Sequence, residues 1–147
     1  MSEVPPTASK PLVRASIAAA TAKALIEAAE AKAREIGVPM VIAVVDESGV
    51  LKAFSRMDGA PLLSVDIAQD KAYTAAAYAI PTHAWFDFIK GDPPLLHGIV
   101  KTPRLVVFGG GYPVEQDGAV VGGIGVSGGH YEQDMAVATA ALAILGG

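Results

Sequence analysis

The stretch IGVSGGHYEQD, residues 124–134, holds the closest group of side chains that could do chemistry. Glycines at a helix start leave backbone N–H groups uncovered, and these groups together with the helix dipole attract an anion. Ser127, Gly128 and Gly129 could therefore hold a carboxylate. The alternative is that Ser127 caps the helix and that the acidic residues after it complement the helix dipole.

His130 stands at the start of the same helix, four residues before Asp134, so both side chains can lie on one helical face. The carboxylate of Asp134 or Glu132 could orient the imidazole for acid–base catalysis. His130 and Asp134 could instead chelate a metal ion. The remaining interpretation is a surface histidine near a helix start, because the pair has no third fixed partner.

A second candidate is the aromatic cluster around His83, which lies beside Thr82, Trp85, Phe86 and Phe88. Flat rings at this density could line a pocket for a flat ligand. His83 would then be a candidate axial ligand for a haem iron. The alternative is that the cluster belongs to the core or to an oligomer interface.

Lys71 falls on one stripe of a predicted helix with Thr74, among many alanines. Its side chain either points into a pocket or extends along the helix to reach solvent. Arg56 and Asp58 follow a predicted strand. They could form an internal ion pair, or Arg56 could face an acidic ligand.

The composition is apolar for a single domain of 147 residues, with 52% hydrophobic and 18% charged residues. Much of the excess is alanine and glycine. The surplus of apolar surface predicts a homo-oligomer. A net charge of −4 gives no general attraction for nucleic acid or anionic lipid, and no apolar run approaches the length of a membrane span.

Cysteine is absent, which excludes disulfides, thiolate metal sites and a cysteine nucleophile. The N-terminal sequence MSEVPPTASKPLV lacks the charged region and apolar stretch that are typical of a secretory signal. We therefore expect a cytoplasmic protein.

The periodicity predicts a flexible N-terminal arm, residues 1–10, and a single domain over residues 11–147. The first half is predicted to hold a helix over 11–36, a hairpin of MVIAVVD and VLKAFSR, and a helix over 64–80 capped by Ser64. A short helix HAWFDFI capped by Thr82, a loop KGDPP and a strand RLVVF follow. The chain then continues with turns GGGYP and QDG, a strand AVVGGIGVSG and a helix over 130–145. Short turns between strands favour an antiparallel sheet in an α+β domain.

The predicted second helix carries a stripe of small residues, which indicates a close contact with another element or another copy. The stripe consists of Ala68, Ala72, Ala75 and Ala79.

The sequence is similar to a known family in several motifs that occur in a fixed order. They are IAVVDESGVLKAFSRMDGAPLLSVDIAQDKAYTAA (42–76), Pro81–Thr82, GGGYPVEQDGAVVGGIGVSGG (109–129) and Asp134. Together they resemble the GlcG/HbpS family of haem-binding, haem-degrading-type domains, a module also found as the C-terminal part of some PduO corrinoid enzymes. The resemblance covers about residues 10–146.

The resemblance implies a profilin-like α+β fold with an antiparallel sheet of about five strands, and helices including the N- and C-terminal ones packed on it. It also implies homo-oligomers, commonly octamers, that bind haem or a corrinoid and belong to catabolic operons. The residues that match family motif positions are Arg56, Asp58, Lys71, Thr74, Thr82, Gly125, Ser127, Gly128 and Asp134. His83 and His130 depart from the family pattern.

Two functions remain open at this stage. The first is a cytoplasmic oligomer that binds haem and assists its degradation, with His83 or His130 on the iron and a cation such as Arg56, Lys71 or Arg104 on a propionate. The second is an enzyme of a catabolic pathway, an isomerase, hydratase or lyase for a small organic acid. In that enzyme a cation and the glycine N–H groups hold the carboxylate, and His130 moves the proton.

Overall fold

The computed structural model describes residues 7–146, so residues 1–6 of the predicted arm lie outside the described residues. The helices are α1 (Ala19–Ile36), α2 (Ser64–Tyr78), α3 (Ala84–Ile89), α4 (Pro93–Gly98) and α5 (Tyr131–Leu142), and the strands are β1 (Val41–Asp46), β2 (Leu51–Arg56), β3 (Gly111–Gln116) and β4 (Ala119–Ser127). The α+β class is confirmed. None of the helices described between residues 7 and 146 has the length and apolar character needed to span a bilayer.

The strands form an antiparallel sheet in the order β2-β1-β4-β3. Four strands are present in the described part of the chain, and the prediction of about five was one too many. RLVVF is not a strand, because the N–H of Val106 donates to the hydroxyl of Thr74 (3.1 Å) rather than to a neighbouring strand. GGGYP is not only a turn, since Gly111 already begins β3.

Strand β1 is buried on both sides because helices cover both faces of the sheet. Ile42 and Val44 pack with α1 and α5, whereas Val41, Ala43 and Val45 pack with α2. This alternation follows from the period of two along a strand.

The first helix begins later than predicted, at Ala19 rather than near residue 11. Ile17 is buried, but its N–H donates to the carbonyl of Val121 (3.0 Å), and Ala18 is extended. The segment before α1 therefore lies along the sheet instead of forming a helical turn. The end of α1 was predicted correctly, with Gly37 in the left-handed region at φ 77°.

The small-residue stripe of α2 packs on β4 inside the chain. Ala68, Ala72 and Ala75 are fully buried, and a Cβ at Gly125 would collide with the carbonyl oxygen of Ala68. Ala79 is exposed and lies outside this contact. Glycine in β4 and alanine in α2 thus allow a close helix–sheet approach, which is the backbone role of Gly125.

Candidate functional site

A buried ion pair lies at the centre of the predicted site. The Nζ of Lys71 donates to Oδ2 of Asp134 (2.9 Å) and to the carbonyl oxygen of Val126 (2.8 Å). The two side chains are 0% and 2% exposed. Burial lowers the pKa of the Lys71 ammonium and raises the pKa of the Asp134 carboxyl, and the attraction between the two charges opposes both shifts. The pair joins α2 to α5 across the end of β4.

Asp134 is therefore committed to Lys71, and the predicted couple of His130 with Asp134 is not formed. The other oxygen of Asp134 accepts from the N–H of Gly129 (3.0 Å). Since Lys71 and the N–H of Gly129 engage both oxygens of Asp134, this carboxylate is not free to chelate a metal ion with His130. Within residues 7–146, no group of three or more histidine, aspartate or glutamate side chains could hold a metal ion.

His130 is the N-cap of α5. Its Nδ1 accepts from the N–H of Glu132 (3.2 Å), and the side chain of Gln133 accepts from the N–H of His130 (3.0 Å). The side chains of His130 and Glu132 are 57% and 80% exposed. This cap bond requires an Nδ1 without a proton, and Oε1 of Glu132 lies 3.5 Å from the same atom. Ser127 does not cap the helix, which corrects that alternative.

The predicted anion site at this corner is already filled by the protein. The N–H groups of Gly129, His130 and Glu132, which a free carboxylate would need, donate to acceptors within the chain. The geometry therefore leaves few donors for an external carboxylate.

A cavity of about 390 Å³ nevertheless borders the corner. Ser127, Gly128, Gly129 and His130 line it, together with Pro61, Leu63, Ser64, Ile67, Phe108, Tyr131 and Asp134. The hydroxyl of Ser127 donates to that of Ser64 (3.0 Å), and both side chains are nearly buried. Ser64 consequently does not cap α2, contrary to prediction, because its hydroxyl is directed to β4.

A surface beside this cavity carries two exposed histidines and the half-buried Met135, and we call it the histidine face. It consists of His83, Phe108, His130, Tyr131 and Met135. Phe108, His130 and Tyr131 line the cavity, and a Cβ at Gly109 would meet both His83 and the Sδ of Met135. Phe108 and Tyr131 are 43% and 46% exposed. Phe108, Tyr131 and Met135 could not be recognised as site residues from the sequence, because only the fold places the loop before β3 against α5.

The remaining predicted residues lie elsewhere. Trp85 and Thr74 line a separate cavity with the loop that follows α4. Thr82 does not cap α3; its hydroxyl accepts from the N–H of Gly111 (2.9 Å) and fixes the start of β3. Arg56 is exposed at the end of edge strand β2, and no ion pair within residues 7–146 joins it to Asp58.

The fold and the buried lysine–aspartate pair define an α+β domain with a four-stranded antiparallel sheet between two helical layers. The chain belongs to the family described as haem degrading protein HbpS-like, whose model matches residues 17–143. This confirms the resemblance inferred from the motifs.

Relatives of the chain include proteins of three bacterial species. The chain is 45% identical over 130 residues to an uncharacterized 15.0 kDa protein of Citrobacter freundii, with 87% of this chain and 91% of that protein covered. It is 37% identical over 106 residues to protein GlcG of Escherichia coli, covering 72% and 77%. It also matches PduO of Salmonella typhimurium, 38% identical over 82% of this chain but only 36% of the enzyme.

Solved structures share the fold over nearly the whole chain. The Klebsiella pneumoniae protein ORFY superimposes with a TM-score of 0.86 at 35% identity, covering 94% of this chain and 96% of that one. A complex described as PduOC with heme superimposes with a TM-score of 0.82 at 36% identity, covering 89% and 96%.

Proposed function

We propose that this chain is a cytoplasmic, homo-oligomeric haem-binding protein of the HbpS type that assists haem breakdown. The observation that carries the proposal is the match to the haem-degrading family over residues 17–143. The PduOC structure in complex with heme, at 36% identity and a TM-score of 0.82, supports it. The cytoplasmic location is carried over from the sequence expectation.

The donor set of the histidine face suits a haem. Exposed rings of Phe108 and Tyr131 offer apolar surface for a macrocycle, and the imidazole of His83 and the thioether of Met135 are ligand types that haem iron accepts. Bound haem would supply the iron, and this chain would supply the apolar surface and an axial ligand. The three cations considered for a propionate do not serve this face. Arg56 and Arg104 do not line the cavity beside the histidine face, and Lys71 is held by Asp134.

His83 is the better of the two histidines as an iron ligand. It is exposed, its ring lies 5.6 Å from that of Tyr112, and it makes no side-chain cap bond. His130 would have to move its proton from Nε2 to Nδ1 before Nε2 could bind iron, and the cap bond to Glu132 would be lost. Losing an N-cap bond costs about 1 kcal/mol.

A haemin titration tests the proposal. We expect a saturable Soret shift with about one haem per chain or per dimer. His83→Ala should weaken haemin binding at least about tenfold and alter the Soret band, because an axial ligand is lost. His97→Ala is the matched control, since His97 is exposed on α4 and lines none of the cavities described above. Absence of any shift with the unmodified protein would reject haem binding, and an unchanged spectrum with His83→Ala would reject this ligand.

Assistance in haem breakdown has its own test. Loss of Soret absorbance is followed after addition of hydrogen peroxide to the haemin complex and to free haemin. We expect faster loss in the complex. Equal or slower loss would remove the degradation part of the proposal and leave the binding part intact.

A further inference from the structure

A second cavity, of about 270 Å³, lies away from the histidine face, between α2, α3 and the loop that follows α4. Its walls are mostly apolar, formed by Ala77, Tyr78, Trp85, Ile99, Pro103 and Leu105. No residue of the histidine face lines it. Concave apolar cavities with a few polar groups are the usual form of a small-molecule site.

The indole of Trp85 is the reason to expect a ligand with a hydrogen-bond acceptor. The side chain is 3% exposed, and no acceptor in the described part of the chain reaches its Nε1. A buried donor without a partner is unfavourable, and protein structures rarely leave one unsatisfied. The rings of Tyr78 and Phe88 pack on the indole, with ring centres 4.9 and 5.7 Å from its centre, and are themselves 54% and 56% exposed.

Arg104 stands at the rim of this cavity in a conformation that the chain holds in place. Its φ is 67°, which is unfavourable for a residue with a side chain. The hydroxyl of Thr74 stabilises this conformation of Arg104. It donates to the carbonyl oxygen of Arg104 (2.7 Å) and accepts from the N–H of Val106 (3.1 Å). The guanidinium of Arg104 lies 3.9 Å from the ring centre of Tyr73. This wall of the cavity is therefore preformed.

The charges around the rim favour an uncharged ligand. The Nε of Arg104 already donates to Asp70 (3.0 Å), which neutralises the cation. Asp66 lies with Asp70, Tyr73 and Arg104 along the adjoining groove and adds negative charge. A carboxylate would meet more negative than positive charge here.

We propose that this cavity binds a small uncharged carbonyl compound with a ring-sized apolar body, whose oxygen accepts a hydrogen bond from the indole N–H of Trp85. The cavity falls below the range of about 300–1,000 Å³ typical for drug-sized ligands, so a haem is too large for it. The proposal is therefore independent of haem binding at the histidine face.

Acetophenone is a suitable probe, and isopropylbenzene is its matched control because a methyl group replaces the carbonyl oxygen. Trp85 is the only tryptophan of the chain, so the single indole ¹H–¹⁵N signal reports on this site alone. We expect a saturable shift of that signal with acetophenone, and affinity about three- to tenfold higher than for isopropylbenzene, as one hydrogen bond gives. Benzoate should bind more weakly than acetophenone.

Two variants locate the site. Trp85→Phe keeps an apolar ring and removes the N–H, and it should abolish the preference for acetophenone. Because this variant has no indole signal, its affinities for acetophenone and isopropylbenzene are measured by isothermal titration calorimetry, as are those of the unmodified protein for comparison. Ala77→Leu fills the cavity from an exposed position on α2 and should weaken acetophenone binding at least about tenfold. Ala136→Leu, at an exposed position on α5 that lines no cavity described above, is the control and should bind normally.

The proposal is overturned by any of four results. These are no saturable indole shift, equal affinity for acetophenone and isopropylbenzene, tighter binding of benzoate, or unchanged binding in Ala77→Leu. Melting temperatures of the variants show whether each remains folded.

Discussion

At the scale of single residues, the partner of Asp134 decides what the site can do. A carboxylate beside His130 would make an acid–base couple, whereas a carboxylate on Lys71 makes a buried ion pair between helices. A buried ion pair contributes little net stability, but loss of one partner leaves an uncompensated charge. The role of this pair is therefore to fix the position of α5, and with it the histidine face, relative to α2.

Asp134→Ala should lower the free energy of unfolding by about 3–5 kcal/mol, because Lys71 stays buried without a counter-charge. The double variant Lys71→Met/Asp134→Ala should recover most of that loss. Urea denaturation of the two single variants and the double variant gives the coupling energy. Additive single effects would show that the two side chains do not interact.

The same pair predicts how stability depends on pH. Burial holds the pKa of Lys71 below that of the unfolded chain, so at alkaline pH the unfolded state binds more protons than the folded state. Stability of Asp134→Ala should therefore rise as the pH increases toward 10.5, the ordinary pKa of a lysine side chain. Denaturation midpoints at several alkaline pH values measure this, and the double variant without Lys71 should lack the rise.

His130 should matter for stability through its cap. His130→Ala removes the acceptor for the N–H of Glu132 and should cost about 0.5–2 kcal/mol, whereas His130→Asn supplies another good cap and should cost less. Thermal unfolding of both variants separates the cap from any role in binding. Equal losses in both would contradict the capping role.

At the scale of elements, the contact of α2 with β4 depends on residues with the smallest side chains, alanine in the helix and glycine in the strand. Ala68 and Ala72 lie on Gly123 and Gly125, where helix backbone and strand backbone almost touch. Such a contact tolerates no added volume.

Ala72→Leu should destabilise the chain by about 1–3 kcal/mol or more, because nothing at this contact can move aside. Ala77→Leu, on the exposed side of the same helix, is the control and should leave stability nearly unchanged. The measurement is the midpoint of urea denaturation. The effect belongs to folding, since Ala72 is fully buried inside one chain.

At the scale of the whole molecule, apolar side chains remain on the surface of the described residues. Leu62 and Leu63 are 80% and 74% exposed and stand together before α2. Paired exposed leucines favour contact with another copy, in agreement with the proposed homo-oligomer.

Leu62→Ser/Leu63→Ser should therefore shift the mass found by light scattering from that of the proposed homo-oligomer toward smaller species. Val50→Ser is the matched control, since Val50 is 61% exposed in the turn between β1 and β2. A monomeric unmodified protein would refute the homo-oligomer, and an unchanged mass in the double variant would exclude this contact.

The sequence by itself determined the fold class, the order of most elements and the family. Periodicity, glycine stops and the β1–β2 hairpin are local signals, and the family motifs are read directly along the chain. Local signals also placed the end of α1 at Gly37 correctly. They failed at RLVVF, because a β-rich run becomes a strand only when a neighbouring strand pairs with it.

Only the tertiary structure decided which side chains meet. Lys71 and Asp134 are 63 positions apart in the sequence. Trp85 and His83 are only two positions apart, yet Trp85 lines the second cavity whereas His83 lies outside it, next to Gly109. Spacing along one helix made His130 the obvious partner of Asp134, but burial settled the choice. A carboxylate enclosed between α2, β4 and α5 pairs with the buried ammonium beside it, and the exposed imidazole is left to cap the helix.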